Sequence, residues 1–125
     1  MNDQRLIREI GDAIAAHMVW KKRLVAAIDS GQVRYSPIIA GSDRECAFGK
    51  WLYGPGLGEE IRDTRPYAVV QRLHAAFHRT AGKILTQVEQ GRIKDAQLAL
   101  RGEFESESDL LLRALQKWRR ELITQ

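Results

Sequence analysis

The chain of 125 residues holds three histidines and one cysteine. His74 and His78 are spaced i, i+4, which on a helix puts both imidazoles on one face. His17 falls between Ile14 and Leu24 on an apolar stripe. Cys46 sits in ECAFGKWLYGPG, residues 45–56, among aromatic residues and glycines. A lone cysteine is most often a small buried hydrophobe, and a lone histidine on an apolar face is most often a hydrogen-bonded core residue. Three histidines out of three on apolar faces strain that explanation. Each buried imidazole needs partners for both ring nitrogens, and charging one in a core is costly. A metal ion takes one nitrogen from each ring and leaves the other for a carbonyl or carboxylate. Three imidazoles and one thiolate are the four ligands of a closed tetrahedral zinc site. His17, Cys46, His74 and His78 are therefore predicted to bind Zn2+.

Three long helical patterns must position these groups. The first runs from about Asp3 to Ser30, with Leu6, Ile10, Ile14, Leu24 and Ile28 on one stripe and a glycine stop in DSGQ. The second runs from about Pro66 to Gln90, with Val70, Leu73, Phe77, Ala81, Ile84, Leu85 and Val88 inward, and stops at Gly91. The third runs from about Arg92 to Leu122 through Ile93, Ala96, Leu100, Phe104, Leu111, Leu115 and Trp118. Residues 31–65 hold six of the ten glycines and two of the three prolines, leaving room for short helices near 46–53 and 58–63. No segment shows sustained strand alternation. The expectation is all-α: one domain over residues 1–125, an antiparallel four-helix-type bundle, with a short helix or loop carrying Cys46 across one end or side.

The surroundings of the four ligands follow from this layout. Trp20, Phe48 and Trp51 are expected to pack near the metal and exclude water. Gly49 would permit a tight turn after Cys46, and Arg44 and Lys50 would add positive potential near the sulfur. Counting back from the turn at Gln90 sets His78 level with Gly102 and His74 level with Ser106. Gly102 would then allow close backbone approach. Glu103, Glu107 and Ser108 would lie on or beside the inward stripe. Glu107 and Ser108 are the preferred acceptors for the free N–H of a ligating histidine; the plainer alternative is that they rim the core and face water.

Composition narrows the function. The chain is 44% hydrophobic and 29% charged with net charge +4, as in globular proteins. No apolar run is long enough to span a bilayer. The basic cluster KWRRE, residues 117–121, reads as a solvated helix end, so neither nucleic acid nor membrane is an expected partner. A single cysteine excludes an intrachain disulfide and suits a reducing compartment. The start MNDQRLIREI lacks the basic-then-apolar order of a signal peptide, so a cytoplasmic location is expected.

The order H-x-x-W (His17, Trp20), C-x-F-G-x-W (Cys46, Phe48, Gly49, Trp51) and H-x-x-x-H (His74, His78) resembles the chemoreceptor zinc-binding (CZB) domain family, with every motif position filled. The resemblance implies a helical bundle holding zinc through His17, Cys46, His74 and His78. It also implies a bacterial cytoplasmic sensor of zinc, or of oxidants through the zinc-bound cysteine, attached to chemoreceptor or diguanylate cyclase output modules or standing alone. Its setting would be chemotaxis or cyclic-di-GMP signalling. Neither output module has its motif in this chain. A homodimer is expected from the family and from Leu110, Leu112 and Trp118, read as a dimer face or, equally, as core. No enzyme activity is expected. A catalytic bundle with three histidine ligands and an open water position, and a purely structural zinc site, are the alternatives. Coordination number separates the first of these from a four-ligand site.

Overall fold

The computed structural model describes residues 2–124. Its elements are α1 (Asn2–Ser30), α2 (Pro37–Ala40), α3 (Ala47–Leu52), α4 (Glu59–Arg62), α5 (Arg65–Glu89), α6 (Ile93–Ala99) and α7 (Glu105–Ile123), with a π-helical turn, Leu100–Phe104, joining α6 to α7. No strand occurs among the described residues. The fold is an all-α helical bundle.

Local chemistry sets the ends of the long helices. Gly31 and Gly91 adopt φ of 70° and 75°, the left-handed geometry that ends a helix and that glycine enters without a Cβ penalty. The Thr64 hydroxyl caps α5 by accepting from the Tyr67 N–H, and proline stands in the first turn, where a missing N–H costs nothing. The expected stripes form the core: Leu6, Ile10, Leu24, Ile84, Leu85, Phe104 and Leu115 are all fully buried. The third long pattern differs from expectation in one respect. Its π turn inserts an extra residue between α6 and α7, which propensity alone does not reveal.

Side-chain pairs fix the directions of the columns. Going up α1, His17 meets Ser108 and Lys21 meets Glu105, so α1 and α7 are antiparallel. Going up α5, Tyr67 meets Trp118, Thr80 meets Glu107 and Lys83 meets Glu103, so α5 and α7 are antiparallel too. Hence α1 and α5 run parallel, and the chain between them must return along the bundle. It does so beside α5 in the reverse sense. Gly41 abuts Gly82, Ala40 contacts His78, Cys46 contacts His74, and Leu52 contacts Tyr67. The connector, residues 31–64, is thus the fourth column of the bundle, with three short helices where the sequence suggests one or two; α2 has no counterpart in that expectation.

The same pairs correct the register count. His78 lies level with residues just beyond Glu107, not with Gly102, because the turn centres past Gln90 and the π turn adds a residue. Gly102 is exposed, and a Cβ on it would meet nothing within 4 Å. Ser106 and Glu103 are also exposed. The close backbone approach lies elsewhere: a Cβ on Gly82 would come within 2.7 Å of the Gly41 Cα and of the Pro37 carbonyl oxygen. Trp118 is buried against Tyr67, with ring centroids 6.5 Å apart, so it belongs to the core and not to a dimer face. Leu110 is exposed and Leu112 half-buried.

Gly82→Ala and Gly102→Ala should therefore have opposite effects. Each gains about 1 kcal/mol of helix propensity. At Gly82 the two clashes are with backbone, so α2 must move off α5 at a cost of about 1–3 kcal/mol. Denaturant unfolding should show Gly82→Ala destabilised and Gly102→Ala unchanged or stabilised. Equal stability for the two variants would refute the close approach.

Candidate metal centre

Three elements aim donors at one cavity. The cavity measures about 130 Å3 and is lined by His17, Cys46, His74 and His78 together with Trp20 and Phe48. Its walls are largely apolar, so its few polar atoms interact strongly. The donor atoms of Cys46, His74 and His78 lie within 4.8 Å of one another. Bonds of 2.0–2.3 Å in a tetrahedron separate ligands by about 3.3–3.8 Å, so small side-chain rotations would close the set. His17 lines the same cavity but is not within that group of three. Its Nε2 lies 2.5 Å from the Ser108 hydroxyl on α7, and its ring stacks on Phe77 at 5.0 Å.

Cys46 is the N-cap of α3. Its backbone is extended (φ −78°, ψ 161°), and its sulfur accepts from the Gly49 N–H at 3.3 Å. On its other side the sulfur is 3.3 Å from His74 Nε2. Gly49 is required here for space, not for a turn. A Cβ on it would sit 1.8 Å from the Asp43 carbonyl oxygen, which folds back over α3. That fold-back is clamped from outside. The Tyr53 hydroxyl donates to the Asp43 carboxylate, and the Arg44 guanidinium lies 3.9 Å above the Tyr53 ring. Arg44 is thus turned toward Tyr53 instead of the sulfur, and Lys50 is exposed. Burial holds the Cys46 thiol above its ordinary value, opposed by the backbone N–H groups of Gly49 and Phe48, and Asp43 adds to the upward shift. The expected cationic help at the sulfur is not present.

The histidines are held neutral. Burial lowers His74 to about 3, helped by neighbouring His78. Burial also lowers His78 and His17. His78 Nδ1 lies 2.9 Å from the Ala40 carbonyl. A carbonyl only accepts, so Nδ1 carries the proton and Nε2 keeps its lone pair for a metal. His17 and His74 are each at least nine-tenths buried, and the Nδ1 of each has no hydrogen-bond partner. A buried unpaired polar atom costs about 1–3 kcal/mol. The four donors are imidazole and thiol, the soft and borderline types that zinc selects. Donor chemistry, neutral rings and the unpaired Nδ1 of His17 fit a zinc ion here; on His74 the nitrogen beside the sulfur is Nε2.

The family model of the chemoreceptor zinc-binding domain matches residues 17–85, more than half the chain. The chain belongs to the chemoreceptor zinc-binding domain family. Zinc is accordingly its cofactor. Nothing among the curated proteins or the solved structures matches the chain. The matched span of the CZB domain includes all four predicted ligands but ends before α6 and begins after the first four turns of α1, so Ser108 and Glu107 lie outside it.

The aromatic neighbours divide. Phe48 is buried with its ring edge-on to His74 at 5.2 Å, and Trp20 is half-buried and edge-on to His78 at 5.9 Å. Trp51 is buried one layer away, against Phe48 at 5.8 Å. Glu107 is half-buried and accepts from the Thr80 hydroxyl, not from a histidine. The Ala40 carbonyl, Asp43, Tyr53 and the Gly41–Gly82 contact escaped the reading of the sequence. Only Gly82 left a signal there, as an isolated glycine inside a helical pattern.

Gly49→Ala should displace the Asp43 turn and with it Cys46. Zinc affinity, measured by competition with a chromophoric chelator, should fall at least about tenfold, the scale of losses at groups that orient ligands. An affinity equal to that of the unaltered domain would show that Cys46 is not positioned by this contact.

Proposed function

We propose that His17, Cys46, His74 and His78 together bind zinc, and that the domain reports loss of Cys46 from the metal to an attached or associated bacterial signalling module. The observation that carries this reading is that Cys46 comes from the connector, His74 and His78 from α5, and His17 from α1, all on one cavity. Zinc there would supply a cross-link between three columns and stabilise the Cys46 thiolate. The chain's own residues supply the rest. Ala40 fixes the His78 tautomer, Ser108 holds His17 by Nε2 and leaves Nδ1 free, and Gly49 N–H steadies the sulfur.

The connector is the element suited to respond. It holds three helices of four to six residues, too short to be stable alone. Zinc removal, or oxidation of the thiolate at Sγ by an oxygen-transferring oxidant, would free it in the same way. Four protein ligands leave no open position for a substrate water, which favours a regulatory role over the catalytic alternative. A homodimer in the cytoplasm remains part of the proposal. With Trp118 in the core, its face would draw on exposed Leu110 and the half-buried Leu112.

Metal analysis should find one zinc per chain, lost or much weakened in Cys46→Ala. Chelation should raise hydrogen exchange in residues 36–58 while α5 and α7 stay protected. Retention of full affinity by Cys46→Ala, or no exchange change in the connector, would defeat the proposal. Because the histidines are neutral at pH 7 and the thiol is protonated, binding should release one proton, from Cys46. Affinity should then rise about tenfold per pH unit below the thiol's value, a slope that calorimetry in buffers of different ionisation enthalpy would detect and that Cys46→Ala should abolish.

Ser108→Ala removes the partner of His17 Nε2. Zinc affinity should fall about 10- to 100-fold, with Ser108→Thr recovering most of it. Unchanged affinity in Ser108→Ala would separate α7 from the site.

A further inference from the structure

The donors can be reached from two directions of opposite charge. The first is the cavity itself. Its lining includes Glu9, half-buried, and Asp12, exposed, both on α1, and exposed Ala47 on α3. Among the described residues neither carboxylate forms an ion pair. Arg119 of α7 lies against Gly11 nearby and pairs with neither. The second is a wider groove of about 600 Å3 between α1 and the connector, which also reaches Cys46 and His78. Its charged residues are Arg23, Arg34 and Glu45, a net charge of one positive. Arg23 is stacked between Trp20 and Tyr35, 4.9 and 4.6 Å from their ring centroids.

The same cavity is lined by the buried rings of His17, whose Nδ1 has no partner, and of His74, whose Nε2 faces the Cys46 sulfur. We propose that zinc reaches its donors through the mouth flanked by Glu9 and Asp12, which capture the hydrated dication and release it inward to Cys46, His74 and His78. This rests on the zinc-binding reading above but adds a route and two residues that lie outside the matched family span. A mouth of two carboxylates over low-dielectric walls raises the local concentration of a dication, whereas the second groove repels it. The two carboxylates stand three residues apart on α1 and line the same cavity as the donors. Outbound, the same charges act on an ion already leaving, so they affect association more than dissociation.

The test mixes metal-free protein with cobalt(II) by stopped flow, reading the thiolate-to-metal absorption band that reports bonding to Cys46. In Glu9→Gln/Asp12→Asn the association rate at low ionic strength should fall about three- to tenfold, within the range of electrostatic steering. Its salt dependence should flatten, and dissociation should change less than about twofold by the same reasoning. Arg34→Gln should leave association unchanged or faster. Asp29→Asn/Glu89→Gln, which removes two exposed charges remote from the mouth, should match the unaltered protein. Wild-type association rates in Glu9→Gln/Asp12→Asn, an equal slowing in Asp29→Asn/Glu89→Gln, or slowing by Arg34→Gln would each overturn the route. If the unaltered protein develops no thiolate band at all, the site assignment fails instead, and the two failures are distinguishable.

Discussion

The parallel arrangement of α1 and α5 is the constraint on which the rest depends. Both pack antiparallel to α7, as the pairs His17–Ser108 and Lys21–Glu105 establish for α1, and Thr80–Glu107 and Lys83–Glu103 for α5. Two parallel helices cannot be joined by a tight turn; the chain must travel back along their length. The connector makes that journey in the groove they leave, and in doing so it passes His78 and then His74. Cys46 meets the histidines because the return path leads past them. Had α1 and α5 been antiparallel, a link as short as the one at Gly91 would have sufficed, and no segment would have passed the histidine face.

Burial then gives the site its chemistry. Imidazoles buried among apolar walls stay neutral, so at pH 7 they offer lone pairs without first losing protons. The thiol pays the opposite penalty: burial holds its proton on, and a metal must displace it. The second nitrogens are treated unequally. His78 is anchored by the Ala40 carbonyl and His17 by Ser108, while His74 faces the sulfur and keeps an unpaired Nδ1. His78 is therefore tied to α2 through the Ala40 carbonyl, and His17 to α7 through Ser108.

One core surrounds this centre. The three long columns share the fully buried core, from Leu6 on α1 to Leu115 on α7. The connector joins them through Phe48, Trp51, Leu52 and Leu57, all buried in the same core, through the close backbone contact of Gly41 on Gly82, and through polar clamps such as Tyr67 to the Leu52 carbonyl. The cavity that holds Cys46, His74 and His78 lies where the connector meets α5.

Some of this was written in the sequence. The apolar stripes at helical spacing determine the three long helices, and Gly31 and Gly91 mark their ends, because a 3.6-residue period and a left-handed stop are local properties. The i, i+4 pair His74 and His78 is likewise local, and the motif with Cys46 and His17 identifies the family. Register and direction are not local. The count from Gln90 missed by several residues, since the π turn at 100–104 depends on how α6 and α7 pack and has no signature in composition. Gly102 and Gly82 look alike as letters, yet one faces solvent and the other another backbone. Trp118 reads equally as surface or core until Tyr67 arrives beside it. Gly49 is legible as a glycine near a cysteine, but only the folded chain lays the Asp43 carbonyl where its side chain would have been. Contacts between residues far apart in the chain decide these points, and only the tertiary structure supplies them.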